Sequence, residues 1–143
     1  MKILFLFFTL LIASTLGFAQ TLDGSKVTPV VLNKFQSQFP KAEQVEWKKD
    51  KEFYKVVFQT ISDRYHNELW YNPDGNLQKH VEEFSSDNLS ENIKKYIDRK
   101  YKAYNIDKVY RITEDSEIKY KVQIEKYDGQ MFLFFNEDGK RLK

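Results

Sequence analysis

Leu69-Trp70-Tyr71-Asn72-Pro73-Asp74-Gly75 and Leu133-Phe134-Phe135-Asn136-Glu137-Asp138-Gly139 follow one pattern, used twice in a chain of 143 residues. Three large apolar residues run into Asn-x-Asp-Gly. That tetrad suits a type I turn, in which Asn accepts a bond across the turn and Gly supplies the left-handed residue that rejoins a strand. Placing Gly75 over Gly139 sets Ala42 over Ile106 and Val45 over Val109. With small shifts, Val31, Phe35 and Phe39 match Ile93, Ile97 and Tyr101. Tyr54, Val56 and Phe58 match Tyr120, Val122 and Ile124.

Each copy reads as one helix followed by a four-stranded antiparallel meander, so the predicted class is an α+β tandem repeat. In the first copy Thr28 is placed to cap a helix with Pro29 at its first position, and Pro40 ends it. In the second, Asp87 or Ser90 can cap a helix whose inner face is Ile93, Ile97 and Tyr101. Strands are expected near 43–49, 53–60, 66–72 and 76–83, and again near 107–113, 117–126, 130–136 and 140–143. The copies span 28–84 and 85–143, with 20–27 as a flexible lead-in.

Residues 1–19 read as a secretory signal. Lys2 precedes an apolar run from Ile3 to Ala13, and Gly17-Phe18-Ala19 places small side chains where a signal peptidase acts. Cleavage is expected after Ala19, giving a periplasmic or secreted protein; the rival reading is an uncleaved anchor. The remainder suffices to bury about two-thirds of its unfolded surface, so the absence of Cys is tolerable in an oxidising compartment. Loss of the signal removes Lys2 and no acid, lowering the net charge by one from +2. Acids and bases are interspersed along the chain and concentrate no positive field, which argues against nucleic acid and anionic membranes as partners. After residue 19 no stretch is long and apolar enough to insert in a bilayer.

No constellation supports catalysis, a metal or a cofactor. His66 and His80 sit on different predicted strands with no acid at a ligand spacing, and read as surface or strand-edge side chains. A triad of Ser62 or Ser85 with His66 and Asp63 lacks the strand–turn–helix elbow around its serine. Glu82-Glu83 point to opposite faces of a strand, and Glu114/Asp115 read as turn charges, so neither pair faces across a cleft. Asn72/Asp74 and Asn136/Asp138 lack the ligand series of a calcium loop. The five Gly form no phosphate cradle.

Strand alternation sorts the side chains onto two faces. Tyr54, Val56, Phe58, Leu69, Tyr71 and their counterparts are predicted to lie under the helices. Trp70, Phe132, Phe134 and Val57, with Lys55, Lys119 and Lys121 around them, fall on the opposite face. Aromatic side chains there are the candidate partner-binding residues, the partner being a protein or peptide. The competing reading is that these aromatics pack against the other copy, a loop or a dimer mate.

Phe39-Pro40-Lys41-Ala42, Val45-Glu46-Trp47, Phe53-Tyr54-Lys55-Val56 and Glu68-Leu69-Trp70-Tyr71-Asn72-Pro73-Asp74-Gly75-Asn76-Leu77 together resemble the PepSY-like, beta-lactamase-inhibitor-like family of periplasmic bacterial proteins. The resemblance covers about residues 28–143. The second copy departs from it, with Tyr101-Lys102 for Phe-Pro and Arg111 where Trp47 would fall. It implies a tandem helix-plus-sheet fold whose sheets form one concave surface. It carries no catalytic residues, and inhibition does not follow from it. Three functions are therefore in play: a non-enzymatic binding module, a self-associating structural or envelope protein, and, last, a hydrolase.

Overall fold

The apolar alternation on either side of the two Asn-x-Asp-Gly turns produces a continuous antiparallel sheet. In the computed structural model, which describes residues 20–61 and 64–143, its strands are β1 (Gln20–Leu22), β2 (Ala42–Asp50), β3 (Phe53–Thr60), β4 (His66–Tyr71), β5 (Leu77–Phe84), β6 (Asn105–Glu114), β7 (Glu117–Lys126) and β8 (Gly129–Asn136). Each strand pairs with the next in chain order. The expected signal segment, Ser62 and Asp63 lie outside the described residues. Helices α1 (Pro29–Gln38) and α2 (Glu91–Lys100) pack on one face, each preceded by a strand and a 3-10 turn and followed by three strands.

Each helix seals its own core. Val31 and Phe35 of α1 meet Trp47, Val56, Phe58, Leu69 and Tyr71. Ile93 and Ile97 of α2 meet Val109, Val122, Ile124, Leu133 and Phe135. The spacing of four between Val31 and Phe35, and between Ile93 and Ile97, keeps both members of each pair on one helix face. Strand β5, between the two cores, has no buried residue.

Several expectations need correction. Residues 20–27 are not a free lead-in, because β1 pairs with β2 at Leu22↔Trp47 and Asp23 accepts from Ser25 N–H to start the 3-10 turn. Val27 closes the first core at 3% exposure. Residues 140–143 form no strand: Arg141 makes a single bridge to Phe135, and Leu142 N–H donates to Phe134 O. The matching segment β5 survives because β4 and β6 hold both its edges. Neither Thr28 nor Ser90 caps its helix through a side chain; the Thr28 hydroxyl is turned to Pro73 O at 3.5 Å. Asp87 belongs to the second 3-10 turn, where its N–H donates to Ser85 Oγ.

The fixed sequence offset also fails at Trp47. Trp47 lies opposite Val56 and the end of β1, while Val109 lies opposite Val122 and the end of β5. These two buried residues hold the matching places. Val45 sits exposed at a bulge in β2, and Arg111 reaches Glu82 on the surface. The cause is hairpin length, since β6–β7 continues through Glu114↔Glu117 whereas β2–β3 closes at Asp50↔Phe53.

Both Asn-x-Asp-Gly turns carry a helix N-terminus. Gly139 has φ +82°, and a Cβ there would lie 3.1 Å from Asn92 Cβ and 3.3 Å from Ile93 Cγ1. Gly139→Ala therefore combines a left-handed alanine with crowding of α2, and is expected to cost about 1–3 kcal/mol in urea unfolding. A wild-type midpoint would remove the turn as a support for the helix.

Candidate binding face

Alternation along each strand leaves the face opposite the helices without a covering element among the described residues. Register determines which side chains meet on it. On the first four strands Lys55 lies opposite Trp70, and Val57 opposite Glu68. Lys55 Nζ is 2.7 Å from Glu68 Oε2 and 4.5 Å from the Trp70 ring centroid. Lys79 approaches the same ring at 5.4 Å and pairs with Glu114 at 3.3 Å. Trp70 Nε1–H donates to Asp50 Oδ2 at 2.8 Å. Trp70 is thus half-buried in a closed set of ion pairs, beside an open cleft of about 390 Å³ lined by Asp50, Phe53, Lys79 and Glu114.

Phe132 and Phe134 remain 41% and 38% exposed on the edge strand β8. Phe134 lies opposite Lys121 and Phe132 opposite Gln123. Lys121 Nζ stands 4.2 Å from the Phe132 centroid and 5.3 Å from that of Tyr110. Lys119 turns to Glu117 at 3.0 Å, and that hydrogen bond raises its pKa. The seven candidates therefore share a face but form two groups, Lys55/Val57/Trp70 and Lys119/Lys121/Phe132/Phe134. Four strand spacings, roughly 19 Å, separate Trp70 from Phe134. Val81, Tyr110 and Ile112 of the intervening strands were missed. The alternation of β5 and β6 points to them once Val81↔Ile112 fixes the register.

The titratable groups have structural partners. Burial pushes the Glu68 carboxyl up, but hydrogen bonds from His66 and Lys55 outweigh it and hold the pKa below the usual value. His66 Nε2 is 2.8 Å from Glu68 Oε1. Correcting the surface assignment, His80 lies half-buried on the helix side, edge-on to Phe39, with Nε2 3.2 Å from Oδ1 of buried Asn67. It reaches a shallow cleft of about 380 Å³ that Asp115 also lines, yet that ring nitrogen is engaged by Asn67. Ser85 Oγ serves its 3-10 turn. Glu82 pairs with Arg111, and Glu83 on the other face accepts from His66 N–H. Asn72 Oδ1 accepts from Asp74 and Asn76 N–H, and Asn136 Oδ1 from Lys140 N–H, as turn residues do. Among the described residues no three acids or histidines converge as metal ligands.

Burial lowers the His80 pKa below 6.5. The unfolded chain then binds the proton more readily, so the His80 contribution to stability is intact above pH 6.5 and declines as pH falls through that value. His80→Gln is expected to flatten the urea midpoint between about pH 7 and pH 5. An unchanged slope would place the titration elsewhere.

The family described as "Putative beta-lactamase-inhibitor-like, PepSY-like" matches residues 19–79 and again residues 54–143. This chain belongs to the PepSY-like family. The description names a likeness to a beta-lactamase inhibitor and names no enzymatic activity. Among solved structures, the PepSY-like chain is similar to one of "putative periplasmic proteins" from Bacteroides eggerthii, with TM-score 0.69, 15% identity, and 82% and 86% of the two chains covered. It is also similar to a DUF2874 family protein from Bacteroides ovatus, with TM-score 0.65, 20% identity, and 80% and 84% covered. A BLIP-like protein from Bacteroides fragilis has TM-score 0.63 and 19% identity, with 81% and 83% covered. These likenesses show the α+β fold of this PepSY-like chain. No curated protein matches it. Among its described residues no helix is long and apolar enough to cross a membrane.

Proposed function

We propose that this chain is a non-enzymatic, exported binding module that engages a protein or peptide through the open face of its sheet. In this reading it consists of two copies of a strand–turn–helix–three-strand unit, and residues 1–19 are removed on export to the periplasm. The observation that carries it is the exposure of Phe132 and Phe134 beside Lys121, on a face that no described element covers. Aromatic side chains concentrate binding energy when a partner desolvates them. The neighbour from Bacteroides eggerthii, called periplasmic, supports the compartment.

The test is affinity capture from the native cell envelope with residues 20–143, compared with a Phe132→Ser/Phe134→Ser double variant. A hot-spot pair predicts a protein retained by the wild type and weakened about thirtyfold or more by the variant. Identical captured sets from two folded baits would overturn the assignment. A second reading, self-association, has in its favour that β8 is the last strand of the sheet and carries no charged residue, although Arg141 and Leu142 already occupy the C-terminal part of its outer edge. Sedimentation over a concentration series separates the two.

A further inference from the structure

We propose that the β7–β8 end of this face recognises an acidic segment, a carboxylate flanked by apolar side chains, with Lys121 as the receiving cation. The inference rests on the binding reading above and adds the chemistry of the partner.

Four other lysines on this face are already paired. Lys48 pairs with Glu46 at 3.3 Å, Lys55 with Glu68 at 2.7 Å, Lys79 with Glu114 at 3.3 Å and Lys119 with Glu117 at 3.0 Å. Lys121 has no acid within ion-pair distance among the described residues; its contacts are the Phe132 and Tyr110 rings at 4.2 and 5.3 Å. A ring quadrupole holds an ammonium in place without cancelling its charge. The acids that act on Tyr110 across from Lys121, namely Glu83, Asp107 and Glu68, make no ion pair with Lys121 among the described residues. Glu83, opposite Tyr110, accepts from His66 N–H. Glu125 lies further toward the hairpin, opposite Gln130 and Asn105.

Lys121 and exposed Lys108, opposite Gln123, are therefore the cations of this end without an ion pair among the described residues, and of the two Lys121 is the one held between aromatic rings, which lower the local dielectric for whatever docks. A carboxylate reaching Nζ there gains a charge-assisted hydrogen bond. Its neighbours must be apolar to cover Phe132 and Phe134. A basic segment would instead meet an uncompensated like charge, which disfavours it.

The probe is a phage-displayed library of random short peptides, selected in parallel on residues 20–143 as wild type, Lys121→Met, Lys121→Glu and Phe134→Ala. All three substitutions fall on the open face, and circular dichroism verifies folding. The wild type is expected to enrich Asp or Glu next to aromatic or aliphatic residues. Lys121→Met should keep the apolar preference, lose the acid, and bind a wild-type-selected acidic peptide about tenfold or more weakly. Lys121→Glu should turn the preference toward Lys or Arg. Phe134-dependent peptides without an acid would overturn this inference while leaving the face a binding surface. An absence of any Phe134-dependent peptide would overturn the reading of the face, and this inference with it.

Discussion

Phe35→Ala is expected to lower the unfolding free energy by about 3–5 kcal/mol, the range for emptying an aromatic core position. Phe35 is the hub of the first core at 4% exposure. Its ring meets Trp47 edge-on at 5.4 Å, Phe58 at 5.1 Å and Phe39 at 5.9 Å. Truncation removes the apolar area of the ring and leaves three aromatic neighbours facing a void. A domain of this size has about 5–15 kcal/mol in hand, so much of the margin would go. Tryptophan fluorescence in urea, to which core Trp47 and half-buried Trp70 both contribute, follows the change. Phe134→Ala, on the open face, should shift the same midpoint by less than about 1 kcal/mol. Equal effects at the two positions would mean that the helix face and the open face have been assigned wrongly.

The second large effect is expected at the junction between the halves. Val81 of β5 lies opposite Glu68 on one side and Ile112 on the other. Val81→Pro deletes an N–H from an interior strand and fixes φ, a change tolerated only at edges and bulges. A loss of about 3 kcal/mol or more is expected, with Val81→Thr as a control that keeps the N–H and the branched side chain. Amide exchange should then quicken first in β4, β5 and β6. Near-wild-type stability of the proline variant would show that β5 is not an interior strand.

Much of this was legible along the chain because it depends on local chemistry. Asn-x-Asp-Gly with flanking aromatics marks the turns, and spacings of four place Val31/Phe35 and Ile93/Ile97 under their helices. What escaped depends on partners far away in sequence. Gln20–Leu22 becomes a strand only because β2 offers an edge, and residues 140–143 stay irregular because they lack a second neighbour. The matching of Trp47 with Val109 was hidden by a longer hairpin in the second half. On the candidate face, alternation identified Trp70, Phe132 and Phe134. It could not show that Asp50, Lys55 and Lys79 close around Trp70 while Lys121 is left with rings alone.

The separation of the two cores by a strand with no buried residue has a mechanical consequence. A sheet is stiffest where packed side chains brace it and most compliant where the backbone ladder stands alone. Curvature is therefore expected to adjust more readily along β5, whose side chains are at most partly buried, than within either helix-backed half, and faster amide exchange in β5 than in the strands of the two cores would report it.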